Sequence, residues 1–182
     1  MIFQIFLLLV LLISLLILLF WLLSHIFSTL FYVPYVNASE KAIKDALELA
    51  NLKKDEILLD LGCGRGDVLK IANEKFKVSA IGYEISPFPY FLAKFRLRKV
   101  KNVRIHRQNF LKATDDIKKA DVIYLYLLNS ILEEIEDWLF ENISPKSRIV
   151  TLAFKFQKHK PIKIIQTTNL GLKTKIYLYK KD

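Results

Sequence analysis

Leu58-Leu59-Asp60-Leu61-Gly62-Cys63-Gly64-Arg65-Gly66-Asp67-Val68-Leu69 is the stretch that decides the fold. Residues 57–61 are apolar apart from Asp60, the pattern of a short strand buried on both faces. Three glycines at alternate positions follow, and they let the backbone turn tightly and approach a ligand with no Cβ in the way. A helix is expected from about Asp67, so the turn delivers the chain to a helix N-terminus, where unpaired N–H groups bind anionic or polar atoms. Strand, glycine turn and helix in this order make the first unit of an open α/β sheet.

The glycine spacing separates two cofactor classes. Dinucleotide sites use G-x-G-x-x-G with the helix dipole on a pyrophosphate. Here the spacing is G-x-G-x-G with Asp60 just before it. This resembles motif I of the class I S-adenosyl-L-methionine-dependent methyltransferases, whose Rossmann-like sheet the chain is then expected to share. Their cofactor carries no phosphate but a zwitterionic methionine end and a sulfonium. An acidic residue at the strand end suits its ammonium, and loop N–H groups suit its other polar atoms. A glycine triplet alone is equally compatible with a structural turn. Glu84 separates the two readings, because it ends the next apolar run, 78–83, where a carboxylate can accept two hydrogen bonds from a ribose diol.

The overall hydrophobic fraction of 53% is unevenly spread. Residues 1–39 contain no Lys, Arg, Asp or Glu, so the whole net charge of +10 belongs to the remainder. Residues 2–23 are an almost unbroken Leu/Ile/Phe run, interrupted by Gln4 and Ser14. As a helix they reach roughly 33 Å, enough to cross a bilayer core. A cleaved signal peptide would need a basic start, a shorter apolar core and a small-residue cleavage site. The expectation is therefore a retained single-pass anchor. The positive charges follow it from Lys41 onward, which places the folded domain in the cytoplasm, on the cell membrane. Trp21, Phe27, Phe31, Tyr32 and Tyr35 read as an aromatic belt at the interface. The expected domains are 1–31, anchor and interfacial segment, and 32–182, methyltransferase domain. Cys63 has no partner for a disulfide, and His25, His106 and His159 have no metal-ligand spacing, so no metal is assigned.

Within the domain, Asn37 is expected to cap a first helix with a core stripe at Ile43, Ala46, Leu47 and Ala50. Ser86 and Pro87 open another helix, with Phe88, Phe91, Leu92 and Phe95 as its buried stripe and Lys94, Arg96, Arg98 and Lys99 mainly opposite. Strands are expected at 103–107, 121–127 and 148–153, and a helix capped by Asn129 or Ser130 runs to about 142. The tail reads as two further strands joined by a hairpin turn at Asn169-Leu170-Gly171. The fold class is thus an α/β class I methyltransferase sheet of about seven strands with a C-terminal antiparallel hairpin, preceded by one transmembrane helix. It is trimmed, because 154–161 are too few to hold a helix between strands five and six.

Several of these segments together resemble one group. They are the apolar start, Pro34-Tyr35-Val36-Asn37-Ala38-Ser39, the Asp-Leu-Gly-x-Gly loop at 60–64, and Gly82-Tyr83-Glu84-Ile85-Ser86-Pro87-Phe88. The similarity is to the membrane-anchored protein-lysine methyltransferases of mitochondria, which modify the adenine nucleotide translocase and the ATP synthase c subunit, and to their prokaryotic relatives. The resemblance implies S-adenosyl-L-methionine as cofactor and a lysine of a membrane-associated protein as acceptor. It implies that Asp60, Gly62, Gly64 and Gly66 hold the methionine end, and Glu84 the ribose. Ile85, Asn109 and Phe110 are then the residues for the adenine. Tyr126 and Asn129, after the fourth strand, face the transferred methyl, and Pro34 and Tyr35 are candidates for contact with the acceptor. Glu133, Glu134, Glu136, Asp137 and Glu141 form an acidic helix, read as a solvated face or as a dock for a Lys-rich substrate.

Two other acceptor classes remain open on the sequence. A lipid or lipophilic small molecule fits the anchor equally well. RNA is suggested by the net charge and the basic cluster 94–101, but that cluster lacks interleaved exposed aromatics and an anchor restricts access, so nucleic acid is disfavoured. Oligomeric state is not legible.

Overall fold

The computed structural model describes residues 2–30 and 37–181, with side chains given for all of these except 27–30. The 29-residue helix α1 (Ile2–Leu30) comes first. It is followed by α2 (Glu40–Leu49), β1 (Ile57–Leu61) and α3 (Asp67–Ile71), which widens into one π-helical turn at Ala72–Phe76. Next come β2 (Ser79–Tyr83), α4 (Pro87–Leu97), β3 (Val103–His106) and a 3-10 turn at Phe110–Lys112. The chain continues through α5 (Thr114–Lys119), β4 (Val122–Leu125), α6 (Asn129–Asn142) and β5 (Arg148–Leu152) to the hairpin β6 (Lys163–Asn169) and β7 (Leu172–Lys180).

The seven strands form one mixed sheet in the order β3-β2-β1-β4-β5-β7-β6. The first five run parallel and β7 runs against β5 and β6. This is the sheet expected from the sequence. Alternation along β1 divides the core in two: Leu58 packs with α2 and α3, and Leu59 and Leu61 pack with α5 and α6. Covered on both faces, the central strands need the near-continuous apolar runs seen in the sequence. The order reverses direction between β1 and β4, and in open sheets of this kind ligands bind at that switch point, beyond the strands' carboxyl ends.

The loop 154–161 does carry no helix, and it is held instead by a carboxylate. Glu136 on α6 is fully buried, and its oxygens accept from the backbone N–H of Gln157 at 3.0 Å, Lys158 at 2.8 Å and His159 at 2.8 Å. The His159 ring Nδ1 lies 2.9 Å from Oε1 and donates to it, since a carboxylate only accepts. The ring stacks flat on Phe140, with centroids 3.5 Å apart. Glu136 is therefore no part of an exposed acidic dock.

Three further expectations change. Ser39, not Asn37, caps α2, its Oγ accepting from Ala42 N–H at 3.2 Å, because it stands immediately before the first helical residue. Leu128 occupies the N-cap position of α6 and no side chain caps it. The third change is in α4, whose buried face is Pro89, Ala93 and Leu97 rather than the phenylalanine stripe. Phe91 and Phe95 are 53% and 64% exposed. That face turns inward because α4 lies against the glycine turn: a Cβ on Gly66 would meet Leu97 Cδ1 at 2.6 Å and Ala93 Cβ at 3.5 Å. Of the expected aromatic belt, Trp21 contacts His25 edge-on at 4.5 Å, while Phe31, Tyr32 and Tyr35, like the Phe27 side chain, lie outside what is described.

Candidate active site

The site forms where β1, β2 and β4 end. Gly62 and Gly64 have φ of 88° and 53°, in the left-handed region where a side chain is strained. The turn they make is tied to β2, with the N–H groups of Gly62 and Cys63 both donating to Tyr83 C=O at 2.9 Å. Glu84, 5% exposed, accepts from Gly64 N–H at 2.9 Å through Oε2 and from Ser86 N–H at 2.7 Å through Oε1. One carboxylate thus joins the glycine turn to the start of α4. Gly82 has to be bare for this seating: a Cβ there would lie 2.6 Å from both Cys63 Sγ and Leu69 Cδ1. On the outer side Asp67 accepts from Arg65 and Arg96, and Arg96 also donates to Arg65 C=O at 3.0 Å. That explains one member of the basic cluster as a brace of the turn.

The resulting cleft is lined by Asp60, Gly62, Gly64, Glu84, Tyr124, Tyr126, Arg65 and Asp67, together with Asn37, Ala38 and Ile43. Burial, with the nearby Glu84 and Asp67 charges, pushes the Asp60 carboxyl well above the usual carboxylate range. Burial also raises Glu84, against the lowering effect of its bonds from the 84–86 turn and Gly64. The Tyr124 hydroxyl is fully buried in the cleft wall and has no hydrogen-bond partner among the described residues. An unmet buried hydroxyl costs roughly 1–3 kcal/mol, so a polar ligand atom is favoured there. Tyr126 hydroxyl accepts from Asn169 Nδ2 at 3.1 Å, and Asn169 Oδ1 accepts from Ser39 N–H at 2.6 Å. Burial raises the Tyr126 phenol overall, the Asn169 bond opposing it, so Tyr126 is neutral near pH 7. A neutral phenol can accept from or donate to an amine, but it is no base.

The structure therefore brings together Asp60, Gly62, Gly64, Glu84 and Tyr126 from the sequence candidates. It does not bring in Gly66, which has φ of 81° and serves the approach of α4 to the turn. Ile85, Asn109 and Phe110 lie on the neighbouring edge outside the lined cleft, and Asn109 Oδ1 accepts from Leu111 N–H at 2.9 Å. Asn129 is exposed at the first turn of α6 and is not among the residues lining the cleft. Pro34 and Tyr35 fall outside the described residues. Tyr124 of β4 is not among the sequence candidates, although its two-residue offset from Tyr126, just beyond the strand, turns both to the cleft. Asn169 carries no local signal at all, since only the folding back of the hairpin sets it beside Ser39.

The sequence that builds this site matches a known family. The ANTKMT methyltransferase domain matches residues 60–163, from the cleft aspartate to the start of β6. The chain belongs to that family. It is an S-adenosyl-L-methionine-dependent methyltransferase, and the glycine turn, the two buried carboxylates and the unmet Tyr124 hydroxyl fit a ligand with a charged amino-acid end. A protein-lysine N-methyltransferase of Saccharolobus islandicus is 30% identical over 81% of this chain and 93% of its own length. The adenine nucleotide translocase lysine N-methyltransferase of Mus musculus is 26% identical, over 73% of this chain and 58% of that protein. A crystal structure of an RNA methyltransferase from Salinibacter ruber in complex with S-adenosyl-L-homocysteine superposes with a TM-score of 0.72 at 26% identity. It covers 80% of this chain and 94% of that one.

Proposed function

We propose that this member of the ANTKMT methyltransferase-domain family is anchored in the cell membrane by α1 and methylates a lysine of a membrane-associated protein close to the bilayer. The observation that carries this reading is the placement of the cleft beside an apolar helix. Residues Ile2–Ile26 are long and apolar enough to cross a membrane, and none of their most apolar window is buried in the domain. At its far end Ser24 Oγ accepts from Phe88 N–H at 3.2 Å. Trp21, Ser24 and His25 line a pocket with Arg65 and Pro89, residues that also line the cofactor cleft. A substrate reaching the cleft from that side passes along the membrane helix. Residues 1–31 are then the anchor and 32–182 the cytoplasmic domain.

In this reading Asp60 binds the ammonium of the cofactor, and the turn at Gly62 and Gly64 receives the rest of its methionine end. Glu84, fixed by the Gly64 and Ser86 N–H groups, faces the cleft and receives the ribose diol. Ile85, Asn109 and Phe110 flank the adenine, Asn109 through its amide nitrogen, since its Oδ1 accepts from Leu111 N–H. The bound cofactor supplies an electrophilic methyl on a sulfonium. The protein has to align a neutral amine with it and exclude water, and orientation of this kind is worth up to roughly 7–11 kcal/mol. Tyr126 positions the amine by hydrogen bonding, and the lysine loses its proton to water. Tyr126 itself is held by Asn169, so Asn169→Ala is expected to lower turnover about tenfold with little change in cofactor affinity, the cost of one poorly oriented hydrogen bond. Steady-state kinetics with a separate cofactor titration checks this.

Asp60 also makes binding pH-dependent. Its pKa is raised in the free protein, and an ammonium beside it favours the carboxylate and lowers the pKa. Binding then releases a proton, and affinity rises with pH through the interval between the bound and the free pKa. Calorimetry in buffers of different ionisation enthalpy should detect this release in the wild type and lose it in Asp60→Asn.

RNA as acceptor is the second reading, favoured by the net charge of +10 and by the Salinibacter ruber likeness. The deciding experiment compares membranes and RNA from cells with and without the gene by mass spectrometry. Loss of a methyl increment from a lysine of a membrane protein supports the proposal. Loss from RNA or from lipid alone overturns the acceptor while leaving the methyltransferase in place.

A further inference from the structure

The outward face of α4 has no counterpart in the cofactor site. Phe88, Phe91, Leu92 and Phe95 recur at helical spacing and form one stripe, of which Phe91 and Phe95 are exposed. Phe88 meets Phe20 of α1 with ring centroids 6.0 Å apart. Phe88, Phe91 and Leu92 share an open apolar groove with Ile13, Leu16, Ile17 and Phe20 of α1. Cations border the stripe: the Arg98 guanidinium lies 4.1 Å from the Phe95 ring centroid, and Lys94 and Lys99 are exposed beside it.

We infer that α4 is a second membrane contact, with its phenylalanine stripe among lipid chains beside α1 and its lysines and Arg98 directed to anionic headgroups. This rests on the reading of α1 as a membrane anchor. Two observations select lipid as the occupant. The groove belongs jointly to α4 and to the part of α1 that a bilayer surrounds, so lipid covering residues 13–20 of α1 meets the α4 stripe as well. The bordering charges match an anionic surface, where basic residues near the interface are attracted at about 1 kcal/mol each, whereas a second copy of α4 would bring like charges together. An apolar stripe with a basic border is also the make-up of helices that lie in a membrane plane. The consequence is orientation: a domain held at α1 and α4 cannot swivel about its anchor, so the cleft keeps one face to the bilayer.

The test uses the full-length protein in vesicles of phosphatidylcholine with a minor fraction of phosphatidylglycerol. Single cysteines at Leu12, Phe95 and Lys119 carry an environment-sensitive fluorophore, and Cys63 is buried and does not compete for it. Lys119, at the end of α5 on the opposite face of the sheet, is the aqueous control. Nitroxide-labelled lipid should quench the probes at Leu12→Cys and Phe95→Cys several-fold more than the one at Lys119→Cys, and omitting phosphatidylglycerol should weaken the Phe95 signal selectively. If the Leu12 probe is quenched and the Phe95 probe behaves like Lys119, the inference fails and the anchor stands. If neither is quenched, the anchor reading fails with it. A Phe95 probe shielded equally in lipid-free detergent, with crosslinking between Phe95→Cys copies, makes the stripe a protein contact and overturns the lipid assignment.

Discussion

Glu84→Ala is expected to abolish measurable cofactor binding. The carboxylate does two jobs from one buried position: it fixes the Gly64 and Ser86 N–H groups, and it faces the cleft where the ribose is placed. Truncation removes the ribose partner and leaves two buried N–H donors unmet, each costing roughly 1–3 kcal/mol. Losing two bonds from the ribose to a charged group, roughly 1.5–3 kcal/mol each, corresponds to a drop in affinity of about a hundredfold or more, and the unmet donors lower stability in addition. Glu84→Gln separates the two jobs. Its amide keeps one acceptor for the backbone but presents a donor in place of the other, so folding should recover more than binding does. Calorimetric titration together with thermal unfolding of both variants reads the two effects apart. Unchanged affinity in Glu84→Ala at intact folding would remove Glu84 from the cofactor site.

The largest stability effect is expected at Glu136. Its buried carboxylate gathers three backbone N–H groups and the His159 ring, and it takes the place of the helix the loop lacks. Glu136→Ala leaves those donors facing a void and should cost about 3–5 kcal/mol in a denaturant titration. Burial tends to raise the carboxyl's pKa, but the bonds from His159 and from the 157–159 backbone prevail and hold it below its ordinary value of 4.5. A group whose pKa is depressed on folding contributes stability that is present above the unfolded pKa and lost as pH falls through the folded one. Wild-type stability should therefore fall as pH drops below about 4.5, and the fall should be shallower in Glu136→Gln. An identical acid slope in that variant would assign the acid sensitivity to other carboxylates.

The central strands, the glycine turn and Glu84 were legible in the sequence because their signals are local. A strand buried on both faces has to be apolar along its length. A turn at φ of 88° and 53° admits little but glycine, and a strand end places its next residue at the sheet's carboxyl edge whatever lies around it. The apolar run of residues 2–23 likewise shows its character by composition alone. What stayed out of reach depends on partners distant in the chain. The phenylalanines of α4 and the set Pro89, Ala93 and Leu97 both repeat at helical spacing, and only the close approach of the helix to Gly66 determines which set turns inward. Glu136 looks like any solvated helix carboxylate until the loop 157–159 folds over it. Asn169, 130 residues from Ser39, becomes a partner of the cleft only through β6 and β7 closing the sheet. Periodicity along the chain determines that a helix has two faces, and the shape of what it packs against decides which one is buried.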